Sequence, residues 1–364
     1  MPIDVADFHF YSNPEYFAQL VERIQRAKVG DRATLATMAF EPGQAAIHRV
    51  VDELRLAAGR GVIVHLLVDA RQLLMGQSRW FGEATPGPLI FNSELPLRLR
   101  GQFKIIFEAL EALQDAGGQY TITNSPGRRF SNPLAGRAHW KFACINDMVF
   151  VGGCNLDSDT HLDVMIGWKD PKTAEWLEML ADGVAKEGTV SSVVGGKDIA
   201  RELSHDETLL LDAGLRGQSH IMTKSLAMID EAQDFIVFSS QFFPRDVTSR
   251  HLKAAYERGV KVQIIYNHPL VFRWPFNVVH FFALLKSRRV LPKSFFLGAQ
   301  KRDYLHAKIL VTEKEALVGS HNFVTLGVKL GTAELDISSR SPVFSRRLLE
   351  TLERQVDGNV IGIG

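Results

Sequence analysis

Two stretches of the chain set an imidazole, an ammonium and an amide at matched intervals. HWKFACINDMVFVGGCN opens on His139 and HAKILVTEKEALVGSHN opens on His306. Each has a lysine two residues on, Lys141 and Lys308, and each closes on Gly-[Gly/Ser]-x-Asn, with Gly153 and Asn155 in the first and Ser320 and Asn322 in the second. The His-to-Asn interval is equal, since 155 − 139 = 16 and 322 − 306 = 16. Such a set suits a phosphodiester. An imidazole is partly unprotonated near neutral pH and can attack phosphorus. A second, protonated one can hand a proton to the leaving oxygen. Two lysines and two asparagines can balance the charge on the non-bridging oxygens as phosphorus becomes five-coordinate, and the small residues Gly153 and Ser320 leave room to touch substrate. No metal or cofactor is required by this chemistry. Ammonium groups compete with a cation, and no His, Cys, Asp or Glu cluster has metal-ligand spacing.

The elements around these motifs place them. Lys141 to Ile145 and Met148 to Val151 are apolar strand runs parted by Asn146-Asp147, which predicts a hairpin. Ile309 to Thr312 and Ala316 to Val318 repeat that pattern around Glu313 to Glu315. Side chains two apart on a strand face the same way, so each hairpin can present its His, Lys, small residue and Asn to one point. Upstream of each motif lies a second repeat. RATLATMAF, a helical stretch and AAGRGVIVHLLVD end at Asp69; DFIVFSSQFF, a helical stretch and AYERGVKVQIIYN end at Asn267. Arg60-Gly61 and Arg258-Gly259 close the two helices alike, where glycine suits a left-handed end residue. Strand–helix–strand units of this kind predict parallel pairs, and a helix is expected before each unit, about Pro14 to Ala27 and Thr223 to Ala232.

Composition bounds the partners. The chain has 364 residues, 46% hydrophobic and 23% charged, enough for one large or two ordinary cores. A formal net charge of +1 supplies no overall field for nucleic acid. Two cysteines, Cys144 and Cys154, make no disulfide framework and suit a reducing compartment. The start, MPIDVADFHF, lacks the basic and apolar regions of a signal peptide, and no apolar run reaches about 18 residues. A cytoplasmic protein, peripheral at the membrane, is the expectation.

The paired HxK…G[GS]xN pattern resembles the phospholipase D superfamily, and the GG and GS versions with LDSDTHLDV after the first are most similar to the cardiolipin synthase branch. The resemblance spans the duplicated units and both motifs. It implies an α/β fold of two similar lobes, each a mixed sheet flanked by helices, with the active site at a pseudo-twofold interface. It implies two-step transfer through a phosphohistidine, by a phosphatidyltransferase or a phospholipase D, with His139 as nucleophile and His306 as general acid. It further implies a downstream carboxylate to orient each histidine. Asp163 and Glu334 are the best candidates, against competition from Asp157 and Asp159 and from Asp336. The superfamily motif carries an acid five residues after the lysine; that position is Asn146 in the first copy and Glu313 in the second.

The expected division is residues 1–187 for the N-terminal lobe, 188–215 for a Gly/Ser-rich linker and 216–364 for the C-terminal lobe. One chain then holds both halves, and no obligate protein partner is implied. Two inserts, Arg71 to Gly118 and Pro269 to Gln300, interrupt the repeat. The second combines Phe272, Trp274, Phe276, Phe281, Phe282, Phe295 and Phe296 with Lys286, Arg288 and Arg289, which suits an anionic membrane surface or equally a buried packing segment. Arg128, Arg129, Arg137, Lys301 and Arg302 could greet phosphate or simply be solvated. His321 should point away from the site and be structural. A phospholipid is the expected substrate. A nuclease and an inert lipid- or nucleic-acid-binding scaffold are the alternatives, the first opposed by neutral charge and the second by two intact His-Lys-Asn sets.

Overall fold

The computed structural model describes residues 5–70, 97–124, 136–244, 246–267, 271, 276–292, 296–300, 303–356 and 360–362. The first half forms a seven-stranded sheet from β1 (His9–Ser12), β2 (Arg32–Thr37), β3 (Ile63–Asp69), β4 (Gln119–Thr123), β5 (Phe142–Ile145), β6 (Met148–Gly152) and β7 (Val164–Lys169). The second forms an eight-stranded sheet from β8 (Ile199–Glu202), β9 (Glu207–Ala213), β10 (Phe235–Ser239), β11 (Lys261–Asn267), β12 (Phe296–Gln300), β13 (Ile309–Thr312), β14 (Ala316–Gly319) and β15 (Ala333–Ser339). The orders β4-β3-β2-β5-β6-β7-β1 and β12-β11-β10-β13-β14-β15-β9 correspond strand for strand, with β8 added at one edge. In each sheet the first three strands of that order run parallel and the rest antiparallel.

Parallel strands need crossovers, and the helices Ala45–Gly59 and Asp246–Glu257 supply them between β2 and β3 and between β10 and β11. Gly61 and Gly259 follow these helices at φ 92° and 96°, the left-handed region that a side chain would strain. The helices Asn13–Arg26 and His220–Glu231 precede the two units.

Alternation along the hairpin strands divides the interior. Phe142, Cys144, Ile309 and Val311 enter a central core shared by the facing sheets. Ala143 and Ile145 enter an outer core with helices Asn13–Arg26 and Ala45–Gly59, and Leu310 enters its counterpart in the second half. Both faces are buried, so these strands read as continuous apolar runs. The helices Pro171–Glu187 and Pro342–Glu353 also bury faces in the central core.

The segment 188–215 differs from the expected linker. It holds a short helix, Val190–Val193, and then β8 and β9, and β9 pairs with β15 along its whole length. Leu209 and Leu211 bury one face of β9 in the central core, which a Gly/Ser-rich lead-in conceals in the sequence.

The hairpin turns settle what the position five residues after each lysine does. Asn146 turns at φ 53°, accepts a hydrogen bond from Arg32 N (3.0 Å) and donates its own N–H to the Arg32 carbonyl (2.9 Å). Glu313 accepts from Gln233 N (2.9 Å) and Asp234 N (3.3 Å). Both tie the hairpin to the start of the neighbouring parallel strand. Asparagine tolerates the left-handed turn, so its presence fits this role. Asn146→Ala is therefore expected to cost about 1–2 kcal/mol of stability by denaturant titration, with little change in the turnover of folded protein.

Candidate active site

Two short parallel bridges join the halves. Ala138 bridges Ala333, with His139 N donating to the Ala333 carbonyl (2.8 Å). Leu162 bridges Leu305, with His306 N donating to the Leu162 carbonyl (2.8 Å). The next residue on each strand is a site residue, so the bridges set His139 beside Glu334 and His306 beside Asp163. His139 Nδ1 lies 2.7 Å from Glu334 Oε2, and His306 Nδ1 lies 2.5 Å from Asp163 Oδ2. Asp163 and Glu334 are thus both partners of histidines, and the pairing is crossed: each carboxylate orients the histidine of the other half.

All six groups are buried. His139 and His306 keep 5% and 6% of their surface, while Lys141 and Lys308 keep 0% and 1%. Each lysine folds back on its motif, Lys141 Nζ to the His139 carbonyl (2.5 Å) and Lys308 Nζ to the His306 carbonyl. Lys308 Nζ also lies 2.8 Å from His306 Nδ1. A carboxylate is the stronger acceptor for that ring proton, so Nδ1–H is assigned to Asp163, leaving Nε2 for chemistry.

The ends of the parallel strands hold this arrangement. Asp69, the last residue of β3, accepts from Ala138 N (2.7 Å), from Asn124 Nδ2 (2.7 Å) and from Arg137 (3.2 Å). Asn267, the last residue of β11, bonds both the N–H and the carbonyl of Leu305 at 2.7 Å. Each clamps the residue before a histidine. Ser239 Oγ donates to the Ala307 carbonyl (3.2 Å) and Ser240 Oγ to the Asn322 carbonyl (3.0 Å). Their signal in the sequence is a polar residue ending an apolar strand, at the strand ends where open α/β sheets place ligands. Asp69 and Asn267 are visible there only as the ends of a repeat.

Asn155 is buried, with Oδ1 accepting from Ala39 N (3.3 Å). Asn322 Oδ1 is buried without a hydrogen-bond partner among the described residues. Gly153 lies against Asp163, where a Cβ would meet Oδ1 at 2.1 Å. Ser320, its counterpart, donates Oγ to Glu334 (2.6 Å). Asp336 takes the backbone N–H groups of Ser320 (2.8 Å) and His321 (3.0 Å), and Asp157 pairs with His161 (3.5 Å). His321 is buried, and its Nδ1 accepts from Phe323 N (2.9 Å), a structural role as expected. Arg137 is not a solvated charge; it is buried against Asp69. Arg128, Arg129, Lys301 and Arg302 lie outside the described residues. Among the described residues no three His, Cys, Asp or Glu groups converge to hold a metal.

Burial and charge make the two dyads unequal. Burial pushes Asp163 up, but Lys308 and His306 together outweigh it and hold the carboxylate below its ordinary range. Burial pushes Glu334 well above its ordinary range, and Lys141 and the Ser320 hydroxyl offset this only in part. His306 is depressed to about 4 by burial and then by Lys308, against the pull of Asp163. Lys141 is depressed to about 7 by burial and then by Lys308. Part of the positive charge of the two lysines is thus suppressed. An oxyanion beside Lys141 is expected to favour its ammonium form, so that binding takes up a proton. Tungstate is expected to bind tightest below pH 7 and more weakly as pH rises above it, measured by calorimetry in buffers of different ionisation enthalpy. Affinity flat from pH 6 to 9 would show that Lys141 stays fully charged.

The sequence profile described as "Cardiolipin synthase, PLD-like domain" matches residues 20–182 and 226–356. No curated protein matches in sequence. Among solved structures, phosphatidylserine synthase from Haemophilus influenzae Rd KW20 superposes with a TM-score of 0.71 at 13% identity, over 98% of this chain and 86% of that one. Polyphosphate kinase from Porphyromonas gingivalis superposes with a TM-score of 0.55 at 12% identity, over 97% of this chain and 51% of that one. At these identities the superpositions speak for the fold alone.

Proposed function

The chain belongs to the family of cardiolipin synthase, PLD-like domains, and from that premise we propose that it cleaves a phospholipid diester through a phosphohistidine and passes the phosphatidyl group to an alcohol or to water. The observation that carries this reading is the crossed pair of His–carboxylate contacts with two buried lysines beside them. His139 Nε2 attacks phosphorus, forming the P–N bond. The P–O bond to the leaving group breaks, and His306 Nε2 gives that oxygen its proton. In the second step the acceptor hydroxyl gives its proton to His306, its oxygen attacks phosphorus, and the P–N bond breaks. Lys141, Lys308, Asn155 and Asn322 hold the non-bridging oxygens.

The unequal dyads support this division of roles. An ionised Asp163 stabilises an imidazolium on His306, as the acid requires. Glu334, raised by burial, draws less charge onto His139, which must start neutral. The depressed proton affinity of His306 in the free site points the other way. Its cause, burial beside Lys308, is offset once a diester anion sits between the lysines. Incubation of purified protein with mixed phospholipids in EDTA, with and without glycerol, tests the reading by lipid-product analysis. New phosphatidyl esters or phosphatidic acid are expected. Cleavage of nucleic acid with no lipid turnover would replace the substrate class.

No helix among the described residues is long and apolar enough to cross a membrane. The insert 269–300 supports peripheral attachment. Its helix Phe276–Val290 buries His280, Leu284 and Ser287 on one side. It exposes Val278, Phe281, Phe282 and Leu285 on another, a stripe of about 100° at helical spacing. Lys286, Arg288 and Arg289 are exposed at its end, and the helix carries no acid. Apolar surface with basic neighbours fits an anionic bilayer. Phe281→Ala/Phe282→Ala is expected to lose flotation with anionic liposomes by about tenfold while keeping turnover of a soluble diester. Equal flotation of wild type with and without anionic lipid would remove the membrane reading. Phe272, Trp274 and Phe295 lie outside the described residues, and Phe276 and Phe296 are described in backbone only.

A further inference from the structure

The two halves differ behind their histidine-orienting acids. Glu334 lies directly opposite Asp212 in the β15–β9 pair, and Asp336 follows two residues on, so the three carboxyl groups share one face of the sheet. Directly opposite residues set their Cβ atoms about 5 Å apart. Glu334, Asp212 and Asp336 keep 4%, 1% and 0% of their surface. In the other half the β1–β7 register matches Ser12 with Val164, and continued by one residue it brings Asn13 to Asp163. Two residues after Asp163 stands Met165. The pseudo-twofold therefore sets Asp212 against Asn13 and Asp336 against Met165. Asp212 accepts from Ser219 Oγ and from Ile221 N (3.1 Å). Near it half-buried Asp198 accepts from Ala213 N (2.8 Å) and His220 N (3.0 Å). Asp336 Oδ1 takes the N–H groups of Ser320 and His321, and its Oδ2 is buried without a hydrogen-bond partner among the described residues. Asn13 is buried too and donates Nδ2 to the Ser158 carbonyl (2.9 Å). Lys141 and Lys308 face Glu334, and Asp163 and Asp157 act on the same two lysines from across the site. Burial depresses the His321 ring to about 3, so it adds no charge.

We infer that Asp212 and Asp336 are positioning residues for His139: standing behind Glu334, they make the Glu334–His139 pair unlike the Asp163–His306 pair and so give two like motifs unlike roles. The inference rests on the function proposed above. A negative neighbour makes a hydrogen-bonded pair hold its proton harder. The nucleophile must keep the proton between Nδ1 and its carboxyl as the ring gains positive charge on bonding phosphorus, and the acid must give a proton up. Acids behind His139 and uncharged groups behind His306 serve those two demands. Burial does not separate the two halves, because it acts on both orienting acids. Beyond burial, Asp336 and Asp212 raise Glu334 against the pull of Lys141 and Ser320, whereas Lys308, 3.9 Å from Asp163, and His306 lower Asp163.

The test reads kcat/KM against pH with two soluble diesters. A nitrophenyl leaving group needs no acid, so the acid limb of its profile reports the His139 pair. A glycerol leaving group needs one, so the alkaline limb of its profile reports the His306 pair. Asp212→Asn and Asp336→Asn are each expected to move the first limb down by about one pH unit and to leave the second in place. Asn13→Asp is expected to move the second limb up and to leave the first in place. Nitrogen NMR of the histidine rings should show His139 titrating at lower pH in both Asn variants, a shift that lost packing alone would not give. Thermal unfolding identifies the folded variants, and if one Asn variant does not fold, the other and Asn13→Asp still decide. Unmoved limbs in the folded variants, or both limbs moving together, would overturn the inference. Failure of the function itself is distinct: wild type would then turn over neither diester. The His139 titration would still be read in that case, and no shift in the Asn variants would overturn the inference as well.

Discussion

His139→Ala is expected to form no covalent phospho-enzyme with any diester, whereas His306→Ala retains its formation from a nitrophenyl diester. The difference follows from the roles. Without Nε2 of residue 139 there is no atom to bond phosphorus, and loss of a catalytic nucleophile costs on the order of 10⁶ in turnover. Without the acid the leaving oxygen must depart as an anion. A nitrophenolate does so readily and a glycerol alkoxide does not, so the loss in His306→Ala should be small for the first and about 10²–10⁴ for the second. Acid quench after rapid mixing with labelled substrate reads the intermediate directly. Label on His306 in the wild type would exchange the two roles. No label anywhere, with inversion at a chiral phosphorus, would sink the two-step mechanism.

The carboxylates are expected to divide by partner and not by position in the chain. Asp163→Asn, though it lies in the N-terminal half, should copy His306→Ala: a small loss on a nitrophenyl diester and a large one on a glycerol diester. Glu334→Gln, in the C-terminal half, should copy His139→Ala and slow intermediate formation for every leaving group. An amide in place of a carboxylate can present its N–H to Nδ1 and favour the wrong tautomer, an effect worth about 10³–10⁴ in a hydrolase triad. Both sites are buried, so thermal unfolding of each variant must separate loss of chemistry from loss of fold. The pH dependence adds a check. Asp163 is held below its unfolded value, so its contribution to stability is present above about pH 4 and is lost as pH falls. Glu334 is held above its unfolded value, so its contribution is present at low pH and is lost as pH rises. Asp163→Asn should flatten the acid side of the stability profile and Glu334→Gln the alkaline side. The same leaving-group dependence in both variants would show that the crossed contacts do not govern the chemistry.

Much of this protein lies in local pattern. The two hairpins, the parallel strand–helix–strand units and the glycines that end their helices follow from spacing, turn residues and apolar runs within some thirty residues. The histidines, lysines and asparagines follow from a motif that occurs twice. Local pattern failed where identity did not fix geometry. The Gly/Ser-rich start of 188–215 hides β9, because whether its leucines form a strand depends on β15 lying beside them. Arg137 has the composition of a phosphate contact and becomes a buried partner of Asp69, because β3 ends next to it.

The sequence by itself determined which groups are proposed for the chemistry and which acids could orient them. The tertiary structure decided which acid serves which histidine. Glu334 is 195 residues from His139, and Asp163 is 143 residues from His306. Nothing within either half specifies those contacts; they arise when the two sheets face each other and the bridges Ala138–Ala333 and Leu162–Leu305 set the register. The division of charge was also decided there. Two motifs with nearly the same residues hold Asp163 with a lowered proton affinity and Glu334 with a raised one, because proton affinity in a buried site depends on how much water is removed and which charges remain near. Those quantities exist only once the halves have closed on each other.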